Sequence, residues 1–252
     1  MLNETTITKL QEMKLGVMAK ALRDQMEDSD FANIPFEERL GLIVDAEWTT
    51  RKNNRLKRLI KSAGYEFPNA CIEDIEYRAD RKLDKAQILR LATCNYINEA
   101  YNIIFLGPSG NGKTYISNAF GVTANRNFYS VRRVCLHELL GELAIARAEG
   151  KYQKAVKPYK QTNLLIFDEW LLFPITESES RDILDIVNYR HKRASTIFCS
   201  QFPTEDWYEK IPEDAVADAI CDRIIHDSYT VFLDGTGMRK QKGIKSKDKH
   251  DS

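Results

Sequence analysis

Eight consecutive residues concentrate more chemistry than any other stretch of the chain: Gly107-Pro108-Ser109-Gly110-Asn111-Gly112-Lys113-Thr114. They match the pattern G-x-x-x-x-G-K-[ST]. The glycines let successive backbone N–H groups turn inward around an anion. A helix starting at Lys113 would add the partial positive charge of its N-terminus. In such a loop Lys113 reaches the β- and γ-phosphates of a nucleotide, and the Thr114 hydroxyl is a ligand for Mg²⁺. Tyr115 follows directly and belongs to the same expected nucleotide-binding set.

A second constellation is Leu164-Leu165-Ile166-Phe167-Asp168-Glu169. Four apolar residues read as a buried strand, with two carboxylates at its C-terminal end, where open α/β sheets bind their ligands. Asp168 is expected to hold Mg²⁺ through water, and Glu169 to orient or deprotonate an attacking water. The run Thr196-Ile197-Phe198-Cys199-Ser200-Gln201 ends in two polar residues. If its strand lies between the other two, Ser200 and Gln201 face the γ-phosphate; the sequence leaves open which one does. Arg223, in Ala217-Asp218-Ala219-Ile220-Cys221-Asp222-Arg223, fits a surface ion pair or a guanidinium that reaches a neighbouring subunit's γ-phosphate. Arg239 fits either a nucleotide contact from the C-terminal side or the start of a basic tail. Finally, Arg51, Lys52, Arg55, Lys57, Arg58 and Lys61 crowd one helical segment; such a face can neutralise phosphates without reading bases.

The elements that must position these groups can be read from hydrophobic period. Residues 5–27, 35–63 and 84–98 have helical spacing, with Pro35 near one helix start and Gly64 at one stop. From residue 101 the pattern changes. Short apolar runs at 101–106, 127–131, 164–168, 195–200 and 229–233 alternate with helices near 113–125, 135–149, 178–192 and 213–226. That alternation predicts an α/β fold with a mainly parallel sheet flanked by helices, preceded by a small all-helical domain. The expected organisation is a helical domain over 1–75, a nucleotide-binding domain over 76–238, and a basic flexible tail over 239–252.

Composition narrows the alternatives. The chain has 252 residues, 43% hydrophobic, with 37 Lys and Arg against 37 Asp and Glu. A core is affordable, and a globally basic nucleic-acid coat is excluded, though a local basic face is not. The five cysteines lie far apart with no C-x-x-C, so neither disulfides nor a His/Cys metal site is expected. No apolar run is long enough to span a membrane, and the start lacks a secretory pattern, so a cytoplasmic location is expected.

Together these motifs resemble the AAA+ ATPases, a branch of the P-loop NTPases in the ASCE group, and within them the IstB-like helpers of insertion-sequence transposition. DnaC-type helicase loaders are their relatives. The resemblance runs through FEERLGLIVDAEWTTRKNNRLKRLIKSA (36–63), IEDIEYRADRKLDKAQILRLATCNYI (72–97), GPSGNGKTYISNAFG (107–121), LLIFDEW (164–170), FCSQFPTEDWYEKI (198–211), ADAICDRIIHDSYTVFLDG (217–235) and MRK (238–240). It implies ATP and Mg²⁺ as ligands, a homo-oligomer with ATP between subunits, sequence-tolerant binding of duplex DNA, and a transposase partner. By position it implies Walker A roles for Lys113 and Thr114, and Walker B roles for Asp168 and Glu169. It places sensor 1 at Ser200 or Gln201, an arginine finger at Arg223 and a sensor-2-like Arg239. The alternative it leaves is a helicase-loader ATPase.

Overall fold

The computed structural model describes residues 2–77 and 83–234. Two compact units divide the chain, Met1–Arg58 and Leu59–Ser252. The division falls inside a helix, ahead of the 75/76 boundary expected from the sequence. The tail over 239–252 and Arg239 lie outside the described residues.

The first unit contains α1 (Leu2–Glu12), α2 (Gly16–Glu27), a 3-10 turn (Ser29–Asn33) and most of α3 (Phe36–Ser62). The single helix expected over 5–27 is broken. Lys14 takes a left-handed conformation (φ 60°). Leu15 N–H then reaches back to the Leu10 carbonyl at 2.8 Å, a closure that ends α1. Leu15 offers no side-chain cap to α2. The cap comes from α3 instead: the Glu47 carboxylate accepts the Val17 and Met18 N–H groups, both at 3.0 Å. Arg51 donates to Glu47 at 2.6 Å and to the Lys14 carbonyl at 2.6 Å. The Arg51 hydrogen bond, helped by the two backbone bonds, holds the Glu47 carboxyl below its ordinary pKa although burial opposes this.

The second unit is built on five parallel strands among the described residues. These are β1 (Asn102–Leu106), β2 (Val131–Cys135), β3 (Leu164–Asp168), β4 (Ser195–Ser200) and β5 (Ser228–Phe232). Their spatial order is β2-β3-β4-β1-β5. Ile103 pairs with Ile197 on one side and Tyr229 on the other, and Leu164 pairs with Val131 and Ser195. Parallel strands need crossovers, and helices supply them. α4 (Lys85–Ala92), α5 (Asn95–Asn98) and α6 (Lys113–Arg126) precede β2. Between β2 and β3 come α7 (Leu136–Ala148) and α8 (Tyr152–Gln161). α9 (Glu177–Arg190) and α10 (Asp214–Ile225) flank β4.

Successive strand residues feed opposite faces. Ile103, Phe105, Ile166 and Ile197 pack with Ile116 and Phe120 of α6 in one core. Ile104, Leu106, Phe167 and Phe198 pack with Leu139, Leu143, Ile183 and Ile220 in the other. Apolar on both faces, the strands read as continuous runs, as buried parallel strands must.

Three expectations shift. The helix over 84–98 divides at Cys94, whose φ of 65° ends α4 before α5 begins. The strand placed at 127–131 instead runs over 131–135. Asn127 closes α6 and Phe128 is left-handed (φ 63°), so the aromatic stretch forms a turn. α8 was not expected because it carries Pro158 inside and is rich in lysine.

Candidate functional site

The loop between β1 and α6 supplies the cradle. Gly110 and Gly112 have φ of 84° and 85°, a region that side-chain-bearing residues rarely adopt. At Gly107 the constraint is contact: an added Cβ would lie 2.1 Å from the Leu233 carbonyl oxygen. The same carbonyl accepts the Asn111 amide at 3.1 Å, and Leu233 N–H donates to the Leu106 carbonyl at 2.7 Å. Asn111 therefore ties the loop to the exit of β5, and the residue is 3% exposed. Lys113 Nζ donates to the Gly107 and Pro108 carbonyls at 2.5 and 2.9 Å.

A cavity of about 290 Å³ opens beside the loop. Ser109, Gly110, Gly112, Lys113, Thr114, Tyr115, Asp168, Glu169 and Gln201 line it, together with Glu66, Phe67 and Cys199. Residues expected from separate sequence motifs thus converge on one space, because β4 lies between β1 and β3 as the argument for Ser200 and Gln201 required. Of those two, Gln201 lines the cavity. Ser200 is fully buried: its hydroxyl binds the Trp170 carbonyl and accepts from Phe202 N–H and Trp207 Nε1, each at 3.2 Å. Burial pushes the Cys199 thiol up, so it stays protonated and forms wall rather than nucleophile.

Asp168 ends β3 with one carboxylate oxygen accepting Glu169 N–H at 3.1 Å and the other held by Arg133 of β2 at 2.6 Å. Arg133 also faces Glu66 at 3.5 Å. Burial opposes the guanidinium's charge, but Asp168, with smaller help from Cys135 and Glu66, offsets it and keeps Arg133 above its ordinary pKa. Glu169 has φ 54°, a strained conformation for a residue with a side chain. Trp170 N–H, bonded to the Cys199 carbonyl at 2.8 Å, anchors the turn. The Glu169 side chain is 43% exposed, with one oxygen 3.3 Å from His137 Nδ1.

The remaining wall comes from the segment after α3. Tyr65 lies across α6 where Gly121 leaves room and donates to Asn125 at 2.8 Å. Phe67 and Tyr115 then meet with ring centroids 5.7 Å apart, giving the cavity an aromatic corner. Glu66, Phe67, Arg133 and His137 were not expected. Gly121, a glycine in an otherwise ordinary helix that leaves room for Tyr65, was a signal for the segment carrying Glu66 and Phe67; Arg133 and His137 had none.

The donor set suits Mg²⁺. The Thr114 hydroxyl and Asp168 carboxylate offer hard oxygens in one cavity. Among the described residues no cluster of three or more His, Cys, Asp or Glu forms a protein cage. Mg²⁺ keeps waters and phosphates as ligands and needs only one or two protein oxygens.

Arg223 is elsewhere. It folds back along its own helix and donates to the Ala219 carbonyl at 2.6 Å. It borders a crevice with Asn102 and Thr196, at the strand starts, the opposite end of the sheet from the loop. The six basic residues between positions 51 and 61 of α3 are all exposed. Arg51 is committed to Glu47 and Lys14, and Lys52 sits 3.7 Å from the Trp48 ring centroid.

A strand, a glycine-rich loop and a helix, with an Asp-Glu pair closing the strand two places away, define a P-loop NTPase of AAA+ architecture. The AMPPCP-bound DnaA of Aquifex aeolicus superposes with a TM-score of 0.54 at 18% identity, over 66% of this chain and 50% of that one. The DnaC helicase loader does so with 0.54 at 16% identity, over 66% and 97%. More specifically, the chain belongs to the IstB-like ATP-binding protein family, whose model matches residues 8–246. A Sinorhizobium fredii protein named as an insertion sequence ATP-binding protein, y4pL, is 35% identical over 98% of this chain and all of its own. The ATP-binding protein of insertion sequence IS1162 from Pseudomonas fluorescens is 35% identical over 81% and 88%. No helix among the described residues is long and apolar enough to cross a membrane.

Proposed function

We propose that this protein hydrolyses ATP, assembles on duplex DNA with ATP between subunits, and serves a transposase at its target site, in the cytoplasm. The observation that carries the hydrolytic reading is the meeting of Lys113, Thr114, Asp168, Glu169 and Gln201 on one cavity. In this reading the loop N–H groups and Lys113 hold the β- and γ-phosphates. Thr114 and Asp168 hold Mg²⁺, which when bound neutralises phosphate charge. Glu169 accepts the proton of a water whose oxygen attacks the γ-phosphorus as the bond to the β–γ bridging oxygen breaks. Gln201 hydrogen-bonds the γ-phosphate or that water. Phe67 and Tyr115 offer apolar faces to the base.

Arg223 cannot serve its own loop from the far end of the sheet. That supports a role toward a second copy, with each site completed by its neighbour. Oligomer and DNA binding follow the same logic: a ring or spiral repeats the α3 basic face, so weak phosphate contacts add. The transposase partner rests on the insertion-sequence naming of the relatives.

The test uses Glu169→Gln, which should bind ATP but turn it over at least about a hundredfold more slowly. With ATP and duplex DNA, light scattering should record growth into a large DNA-bound particle, and Lys113→Ala should give none. A small particle that ignores duplex DNA would favour the helicase-loader reading.

A further inference from the structure

Arg133 is used by none of the steps above, yet it touches the metal-side carboxylate. Its Nη2 lies 2.6 Å from Asp168 Oδ2 and 3.5 Å from Glu66 Oε2. Its side chain is 13% exposed, while that of Glu66 is 49% exposed. The Nε atom is buried without a hydrogen-bond partner, so the guanidinium is not fully satisfied in this pose. Its backbone is fixed: Arg133 N–H donates to the Ala63 carbonyl at 2.7 Å, and its carbonyl packs against Gly64. The side chain can swing between two acids while its root stays in place.

Asp168 has two oxygens. One accepts Glu169 N–H, and the other is the one Arg133 holds. A divalent cation drawn to that carboxylate meets a positive charge already there, and like charges at such range repel. We propose that Arg133 competes with the divalent cation for Asp168 and is displaced onto Glu66 when the cation binds, so that Arg133 and Glu66 together set the protein's metal affinity. This rests on the reading of Asp168 as the metal-side carboxylate. Glu66 sits next to Phe67, so the displaced guanidinium engages the segment that walls the base side of the cavity.

The probe is Mn²⁺ binding to the ADP-loaded full chain, followed by loss of the free-ion electron paramagnetic resonance signal. Arg133→Gln should bind Mn²⁺ more tightly, by about fivefold. Glu66→Gln should bind it about fivefold more weakly, because Arg133 then has Asp168 as its one acid partner. The Glu66→Gln effect should shrink in the Arg133→Gln background. Weaker or unchanged binding by a folded Arg133→Gln protein overturns the proposal, since a merely structural arginine would behave that way. Should Arg133→Gln melt early, Arg133→Lys replaces it. A single ammonium does not bridge two acids as a guanidinium does, so the Glu66→Gln effect must shrink there too, and its persistence overturns the proposal. Asp168→Asn separates the two levels. If it weakens Mn²⁺ binding while Arg133→Gln does not tighten it, only the competition fails. If it leaves Mn²⁺ unaffected, the metal assignment fails and the competition with it.

Discussion

Under the proposed function, Arg223 divides one reaction between two chains. Its helix places it at the strand starts, beyond reach of its own phosphate loop. An arginine that stabilises charge on a transferring phosphoryl group is worth roughly a thousandfold in rate. Arg223→Ala should therefore retain ATP binding and lose about that much turnover. Mixing it with Lys113→Ala in equal amounts should restore up to about a quarter of wild-type turnover: random head-to-tail assembly would give one site in four both intact partners, and Lys113→Ala, which does not assemble alone, enters only beside subunits that still hold ATP. A mixture that co-assembles by light scattering yet stays as inactive as its components would overturn a role for Arg223 across the interface. Much of this site was legible, since Gly107–Thr114 and Asp168-Glu169 are contiguous runs whose chemistry fixes their order. Glu66, Arg133 and His137 were not. Each is one charged or polar residue with an ordinary surface explanation; only the fold brings Glu66 to the cavity wall, and Arg133 and His137 to the carboxylates of Asp168 and Glu169. Ser200 and Gln201 looked equivalent in sequence. Strand alternation turns one into the core and the other to the cavity.

At the scale of elements, the sheet was legible where apolar runs were unbroken and obscure where charges interrupted them. β2 spends two of its five residues on arginines, Arg133 toward Asp168 and Arg132 stacked 5.0 Å from the Tyr159 ring centroid. The overlapping NFYSV run had better strand composition, but its first four residues serve as a turn and only Val131 enters β2. The break between α1 and α2 was hidden for another reason. The residue that caps α2 is Glu47, thirty positions from the amide it caps. This cap has a pH consequence. The folded Glu47 pKa lies below its ordinary 4.5. Its contribution is therefore complete above pH 4.5 and disappears as pH falls through the folded value. Amide exchange at Val17 and Met18, corrected for intrinsic rate, should accelerate across that acid range. Glu47→Gln should lower their protection at pH 7, by on the order of 1 kcal/mol for a cap shared with a half-exposed arginine. At low pH it should make no difference.

For the whole molecule, zero net charge conceals an uneven distribution. α3 alone collects Arg51, Lys52, Arg55, Lys57, Arg58 and Lys61 on 27 residues. Binding to duplex DNA through such a face releases counterions, so affinity should fall steeply with salt and little with base sequence. Replacing Lys57 and Arg58 by glutamine should flatten the plot of log affinity against log salt by roughly two contacts per subunit while leaving ATP binding intact. An unchanged slope would move the DNA contact off this part of α3.

The bond between Asn111 and the Leu233 carbonyl spans 122 positions of sequence. Gly107 is likewise pressed against Leu233, and β1 is flanked by β4 and β5, both far downstream. During synthesis, β1 and its loop therefore leave the ribosome long before their neighbours exist. The nascent chain carries an unpaired apolar strand and an unfinished anion cradle until β5 and the residue beyond it have emerged. Nucleotide can stabilise the fold only after that point, so the same contact that shapes the loop also makes ATP capture wait for β5.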